Sequence, residues 1–214
     1  WVHIEHLFVE SEKMSKSLGN VYTIPEIAAR GHRASALRYL LLSSHYRKQL
    51  NFTWTGMDQA EEAIRRIVDF LARLDTVTGD SVHPHVPETV EQARHAFRSA
   101  LEHDLNTAAA LAAVFDLVRD VNAAIDAREI SVSEVGAVRQ AMDDFDRVLG
   151  VVSLRQAEDA QPAVAVEEIE RLIGERQAAR QRRDFAAADR IRDELAGRGV
   201  LLEDNAGGTR WKKK

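Results

Sequence analysis

Apolar residues recur at helical spacing through most of the chain. In 57–74, Met57, Ala60, Ile64, Ile67, Leu71 and Leu74 follow an i, i+3, i+4 pattern that predicts an amphipathic helix. Leu37, Leu40 and Leu41 do the same within 33–48. A helix over 88–103 follows the loop-like "GDSVHPHVPE" of 79–88. The next covers 107–127, with Asn106 or Thr107 as its cap and Leu111, Phe115, Val118, Asn122 and Ile125 on one side. Another covers 133–149, capped near Ser131 or Ser133 and closed by Gly150. Short connections between such helices predict an antiparallel bundle over 32–150.

The flanks differ. Residues 1–10 mix apolar and polar positions like a short strand, and 11–20 read as a loop. "TIPEIAARG" at 23–31 reads as a short helix, with Thr23 to cap it, Pro25 in its first turn and Gly31 at its end. Residues 151–165 lose the helical period and read as a linker. From 166 the period returns in two further helices, the second ended by Gly197 and Gly199. "VLLED" and "TRWKK" around "NAGG" predict a terminal β-hairpin. The fold class is therefore mainly α: a bundle, then a small unit of helical hairpin plus β-hairpin over 166–214, preceded by the short segment 1–31.

Composition narrows the functions. The chain has 214 residues and no cysteine, which excludes a disulfide scaffold and any thiolate metal site. No apolar run reaches the roughly 18 residues of a membrane span. The formal charge of −5 argues against nucleic-acid binding taken alone, but the distribution does not. Between Arg171 and Arg198 eight arginines stand against five acidic residues, and the chain ends in "RWKKK". Without an initiator Met or a signal peptide, the sequence reads as a piece of a longer protein. The pairs His3/His6 and His83/His85 lack nearby further ligands and do not make a metal site.

Two stretches carry chemistry. Lys13, Met14, Ser15, Lys16 and Ser17 spell KMSKS, followed by Leu-Gly-Asn. A lysine pair in a loop is usually just solvated. Here small neighbours let backbone amides approach phosphate oxygens, and lysine is a flexible point charge suited to following moving charge. The second stretch is Arg180, Phe185 and Asp189, spaced R-x4-aromatic-x3-D. A helical hairpin with Phe185 buried is the plain reading. The alternative is RNA, whose unpaired bases stack on aromatics and hydrogen-bond to Arg and Asp.

KMSKS resembles the second signature loop of class I aminoacyl-tRNA synthetases. With "ALRYLLLSSHYR" at 36–47, "LNFT" at 50–53 and the C-terminal "RQAARQRRDFAAADRIRDELAGRGVLLEDNAGGTRWKKK", the resemblance is to cysteinyl-tRNA synthetases over essentially the whole chain. It implies a remnant of an α/β catalytic domain at 1–31, a DALR-type bundle at 32–150, a linker at 151–165 and an anticodon-binding domain at 166–214. Ser35 stands where the bundle signature opens on Asp. Arg38, Tyr46 and Arg47 belong either to the helix surface or to contacts with the tRNA body.

The implied reaction activates L-cysteine with ATP and transfers it to tRNA(Cys). Lys16, assisted by Lys13, meets the ATP phosphates as pyrophosphate leaves, and Met14, Ser15 and Ser17 complete the ATP-binding loop. Such a loop is expected to be disordered without phosphate. Arg180, Phe185 and Asp189 read the first anticodon base. Arg182, Arg183, Arg210 and Lys212 contact the tRNA backbone. Zinc belongs to the upstream half of such enzymes, and its ligands are absent here, so this chain alone is expected to be inactive. A cytoplasmic monomer is implied. A cysteine ligase of mycothiol synthesis and a non-catalytic tRNA-binding module are the alternatives. The basic C-terminal unit argues against the first, and KMSKS against the second.

Overall fold

Strand β1 (Leu7–Val9) turns back on β2 (Glu12–Lys13) and takes β3 (Leu50–Phe52) on its other side. The β1–β2 pair is antiparallel, with Phe8 opposite Lys13. The β1–β3 pair is parallel, with Val9 opposite Phe52. A parallel pair needs a crossover. Helices α1 (Ile24–Ala29) and α2 (Ala34–Leu42) provide it. The computed structural model describes residues 1, 3–80, 83, 85–160, 166–182, 184–198, 200–205 and 208–213. Two units divide the chain, Trp1–Arg155 and Gln156–Lys214.

The rest of the first unit is helical. α3 (Trp54–Arg73), α4 (His85–Glu102), α5 (Thr107–Ala127) and α6 (Val132–Leu149) follow in order. α3 buries Met57, Ala60, Ile64, Ile67 and Phe70, as its period requires. Thr53 caps it, accepting from Gly56 N at 2.9 Å. Asn106 caps α5 at 3.1 Å from Ala109 N. Ser131 and Glu134 form a capping box on α6. Each fully buried aliphatic chain in this core contributes roughly 1.5–3 kcal/mol relative to exposure.

Three features differ from the sequence pattern. α4 begins at His85, because Pro87 fits a first turn whose N–H groups have no helical partner. α5 buries a stripe through Val114, Leu117 and Val121, while Phe115, Asn122 and Ile125 are only partly buried. With alanines at 108–110, 112 and 113, the helix is apolar around most of its circumference, so its pattern does not set its phase.

The third difference is α7 (Val152–Ala160), which occupies most of the expected linker. Asp146 on α6 caps it from outside. Its carboxylate accepts from Val151 N at 2.8 Å, Val152 N at 2.7 Å and Ser153 N at 2.8 Å. Arg155 on α7 is buried and donates from Nε to Ser35 Oγ at 3.0 Å. It also pairs with Glu61 on α3. Ser35, fully buried, is thus an acceptor for a guanidinium.

The second unit holds α8 (Val166–Gln181), α9 (Phe185–Gly197) and an antiparallel hairpin of β4 (Val200–Asn205) and β5 (Gly208–Lys213). Ile169, Leu172, Leu195 and Val200 form its core, with Ile173, Ile191, Leu202 and Trp211 packed against them. Trp211 is therefore an anchor of the β-hairpin. Arg198 ties the end of α9 to Glu168 on α8 at 2.9 Å.

Candidate functional site

The KMSKS segment begins on β2. Glu10 and Ser11, the turn between β1 and β2, both have left-handed φ angles of 49° and 70°. Such a turn normally takes Asn or Gly, and other residues there are strained by about 1–3 kcal/mol each. Neighbours hold it in place. Ser11 N donates to Asn51 Oδ1 at 2.8 Å, Glu10 N donates to Phe52 O at 2.9 Å, and Glu10 Oε1 accepts from Trp54 N at 3.2 Å.

Beyond the turn, Lys13 closes β2 and residues 16–18 make one 3₁₀ turn. Ser15 Oγ caps that turn, accepting from Leu18 N at 3.3 Å, and lies 3.1 Å from Ser17 Oγ. Gly19 ends it at φ 66°, with its N–H on Lys16 O at 3.2 Å. The loop is a hydrogen-bonded turn. Lys13, Lys16 and Ser17 are exposed, while Met14 and Ser15 are half-buried. Among the described residues, neither lysine ammonium has a hydrogen bond or ion pair. Met14 packs on the main core, as do Tyr22 and Trp54. The Arg30 guanidinium lies 4.2 Å from the Trp54 ring centroid and 5.2 Å from that of Tyr22. Two exposed cations thus stand on a hydrogen-bonded backbone.

On the second unit, Arg180 is exposed in the last turn of α8, Phe185 opens α9, and Asp189 lies one turn further on. Phe185 is 61% exposed. The plain expectation of a buried Phe185 is therefore corrected. It continues the stripe of Ala188, Ile191 and Leu195, but stands at the turn between α8 and α9, outside the apolar core. Asp184 caps α9 at 3.0 Å from Ala187 N and so fixes where Phe185 stands. Asp189 and Arg192 are 3.2 Å apart, a pairing visible at i, i+3 and missed in the sequence. Arg182 is exposed. The backbones of Arg210 and Lys212 lie on β5, but their side chains, like the whole of Arg183, fall outside the described residues.

The bundle arginines are engaged. Arg38 Nε donates to Leu149 O at the end of α6, and Gly150, at φ 59°, lies against the same guanidinium. Arg47 Nε reaches Asp104 Oδ2 at 2.6 Å, and Tyr46 donates its hydroxyl to Asp104 Oδ1 at 2.5 Å. The Arg47 guanidinium, then the Tyr46 hydroxyl, hold the Asp104 carboxyl at about 2. Hydrogen bonding to Asp104 in turn raises Tyr46. These contacts tie the turn after α2 to the strained turn before α5, where Asp104 and Leu105 both have positive φ. Among the described residues, no three His, Asp or Glu side chains gather as a metal site, and the chain has no cysteine. The residues present do not fit zinc.

Comparison with known proteins gives three matches along the chain. Residues 1–62 match the class I (C) tRNA synthetase catalytic domain, 96–153 the DALR domain, and 165–211 the cysteinyl-tRNA ligase anticodon binding domain. The chain belongs to the cysteinyl-tRNA synthetase family. The cysteine--tRNA ligase of Solibacter usitatus (strain Ellin6076) is 43% identical over 100% of this chain and 46% of its own length. That of Koribacter versatilis (strain Ellin345) is 39% identical over 100% of the chain and 48% of its own. That of Protochlamydia amoebophila (strain UWE25) is 38% identical over 100% and 44%. The chain thus spans about half the length of the curated family members it matches. Among solved structures, a LeuRS chain of Agrobacterium radiobacter K84, in a ternary complex with tRNA and LeuAMS, superposes with a TM-score of 0.51. It is 18% identical and covers 70% of this chain and 22% of its own, a likeness of fold. The catalytic-domain match reaches 62, so it takes in β3 and the start of α3 as well as the loop.

Proposed function

We propose that this chain is the part of a cysteine--tRNA ligase that carries the KMSKS loop and reads the tRNA. The reaction joins L-cysteine to ATP, releasing pyrophosphate, and then moves cysteine to tRNA(Cys). In the first step the substrate carboxylate attacks the α-phosphorus, so no protein nucleophile is needed. The protein's work is positioning and charge stabilisation. Lys16, with Lys13 assisting, follows the charge on the departing pyrophosphate. Ser15 and Ser17 keep the turn in shape, and Met14 seats it on the core.

The exposure of Phe185 carries the RNA reading. A large aromatic at 61% exposure on a basic hairpin is a stacking platform for an unpaired base. Arg180 and Asp189 supply base-edge contacts there, and Arg182, Arg183, Arg210 and Lys212 neutralise phosphates. The match to an anticodon-binding domain model supports this reading over an amino-sugar cysteine ligase, and the KMSKS loop supports it over a purely RNA-binding module. Among the described residues no helix is long and apolar enough to cross a membrane, and a cytoplasmic monomer suits a tRNA enzyme.

The test is binding of this chain to tRNA(Cys) transcripts by fluorescence anisotropy. Changing the first anticodon base is expected to weaken binding roughly 5- to 150-fold, the cost of one mismatched contact at about 1–3 kcal/mol. Equal affinity for both transcripts rejects the Arg180–Phe185–Asp189 assignment.

A further inference from the structure

Asn20 lies just past the KMSKS pentapeptide, and nothing above gives it a role. Its side-chain amide makes two bonds back across the loop. Oδ1 accepts from Ser15 N at 2.8 Å, and Nδ2 donates to Lys13 O at 3.2 Å. Both are backbone partners, and they flank Met14. The amide therefore locks the end of β2 to the start of the 3₁₀ turn. Lys13 leaves from the first of these and Lys16 from the second.

Among the described residues, no other hydrogen bond joins the two pieces directly. Ser15 Oγ and the Gly19 N–H act within the turn, and Asn51 and Glu10 act on the strand turn before it. Met14 N donates to Leu7 O at 3.1 Å, which holds Met14 to β1 but does not reach the peptide after it. Among the described residues, the Asn20 amide alone hydrogen-bonds across that joint, while the Met14 side chain packs on the core. An aspartate would keep the accepted bond, lose the donated one and set a negative charge beside two phosphate-binding lysines. An alanine would lose both bonds.

We propose that Asn20 is a positioning residue that fixes the separation and direction of Lys13 and Lys16, so that one polyphosphate meets both. This rests on the proposed phosphate role of the loop. Fixed cations bind a dianion with less ordering entropy than free ones, because the loop has already been immobilised.

The test uses this chain, inorganic pyrophosphate as probe, and amide chemical-shift titration. Wild type, Lys13→Ala, Lys16→Ala, Asn20→Ala and the Asn20→Ala/Lys16→Ala double variant are compared, with Tm measured for each. Asn20→Ala is expected to weaken pyrophosphate binding about tenfold, because the ligand must then order the loop, and to lower Tm by no more than a few °C. The double variant is expected to lose less than the sum of its parts, because an unfixed Lys16 has less to contribute. Hydrogen exchange of the Ser15 amide is expected to quicken in Asn20→Ala. If the two lysine variants lose binding and Asn20→Ala binds like wild type, the positioning role falls and the phosphate role stands. Strictly additive losses also overturn it. If neither lysine variant changes binding, both readings fall.

Discussion

The two ends of the chain present their chemistry in opposite ways. At the KMSKS loop the backbone is fixed and the acting side chains are free. Asn20, Ser15, Asn51 and Glu10 hold the chain, while both lysine heads stand in water. At the α8–α9 hairpin an apolar core and one cap fix the helix, and the aromatic on it has two rotatable bonds. The difference suits the targets proposed for the two ends. A polyphosphate changes its charge and position during reaction, so a long cation on a steady base can track it. An unpaired base offers a flat face that does not change, so a rigid ring suits it.

The largest expected effect separates the ends cleanly. In a ligase carrying this sequence, Lys16→Ala is expected to slow ATP–pyrophosphate exchange by about 10²–10³-fold, the scale of a lost charge-stabilising group. Its affinity for tRNA(Cys) is expected to stay unchanged. A parallel loss of tRNA binding would blur the division drawn here. Next comes Phe185→Ala, expected to weaken tRNA binding by roughly 5- to 150-fold, as one lost stacked base implies, and to leave exchange rates alone. Phe185→Trp is expected to restore binding, whereas a buried Phe185 would instead make the Ala variant less stable by about 3–5 kcal/mol. Thermal melts of the two variants decide between these.

The smallest effect lies between the two ends. Asp104 is held at about 2 by Arg47 and Tyr46, below its ordinary value of 3.8. A lowered carboxyl stabilises the fold above its unfolded value and ceases to as pH falls through its folded one. Its contribution is therefore expected to be whole above about pH 4 and to fade towards pH 2. Because the group is exposed, screening keeps the effect small. Wild type and Asp104→Asn should differ in Tm at pH 7 and converge at pH 2, with neither chemical end affected.

Local signals made much of this legible in the sequence. Thr107–Ala127 and Val132–Leu149 match their expected ranges within a residue, because Asn106 and Gly150 mark their ends. The lysine loop declares itself as a contiguous motif. What the sequence hid depends on partners far along the chain. α7 was invisible because its cap is Asp146 on another helix. The parallel pairing of β3 with β1 joins residues more than 40 apart. Phe185 follows an apolar stripe in sequence and becomes exposed only because the hairpin's core stops short of it. Arg38, Tyr46 and Arg47 were ambiguous for the same reason, since Leu149 and Asp104, which engage them, are distant in sequence.

The buried contact of Arg155 with Ser35 joins residues 120 apart and so governs the order of events during synthesis. Until residue 155 emerges, Glu61 and the Ser35 hydroxyl lack the guanidinium that meets them in the finished unit. Closing so long a loop is a late event, because its entropy must be met before the contact forms. Helices α2 and α3 must therefore wait through the making of three more helices for their last partner. A nascent chain released before Arg155 would carry every helix of the bundle and still lack its clasp.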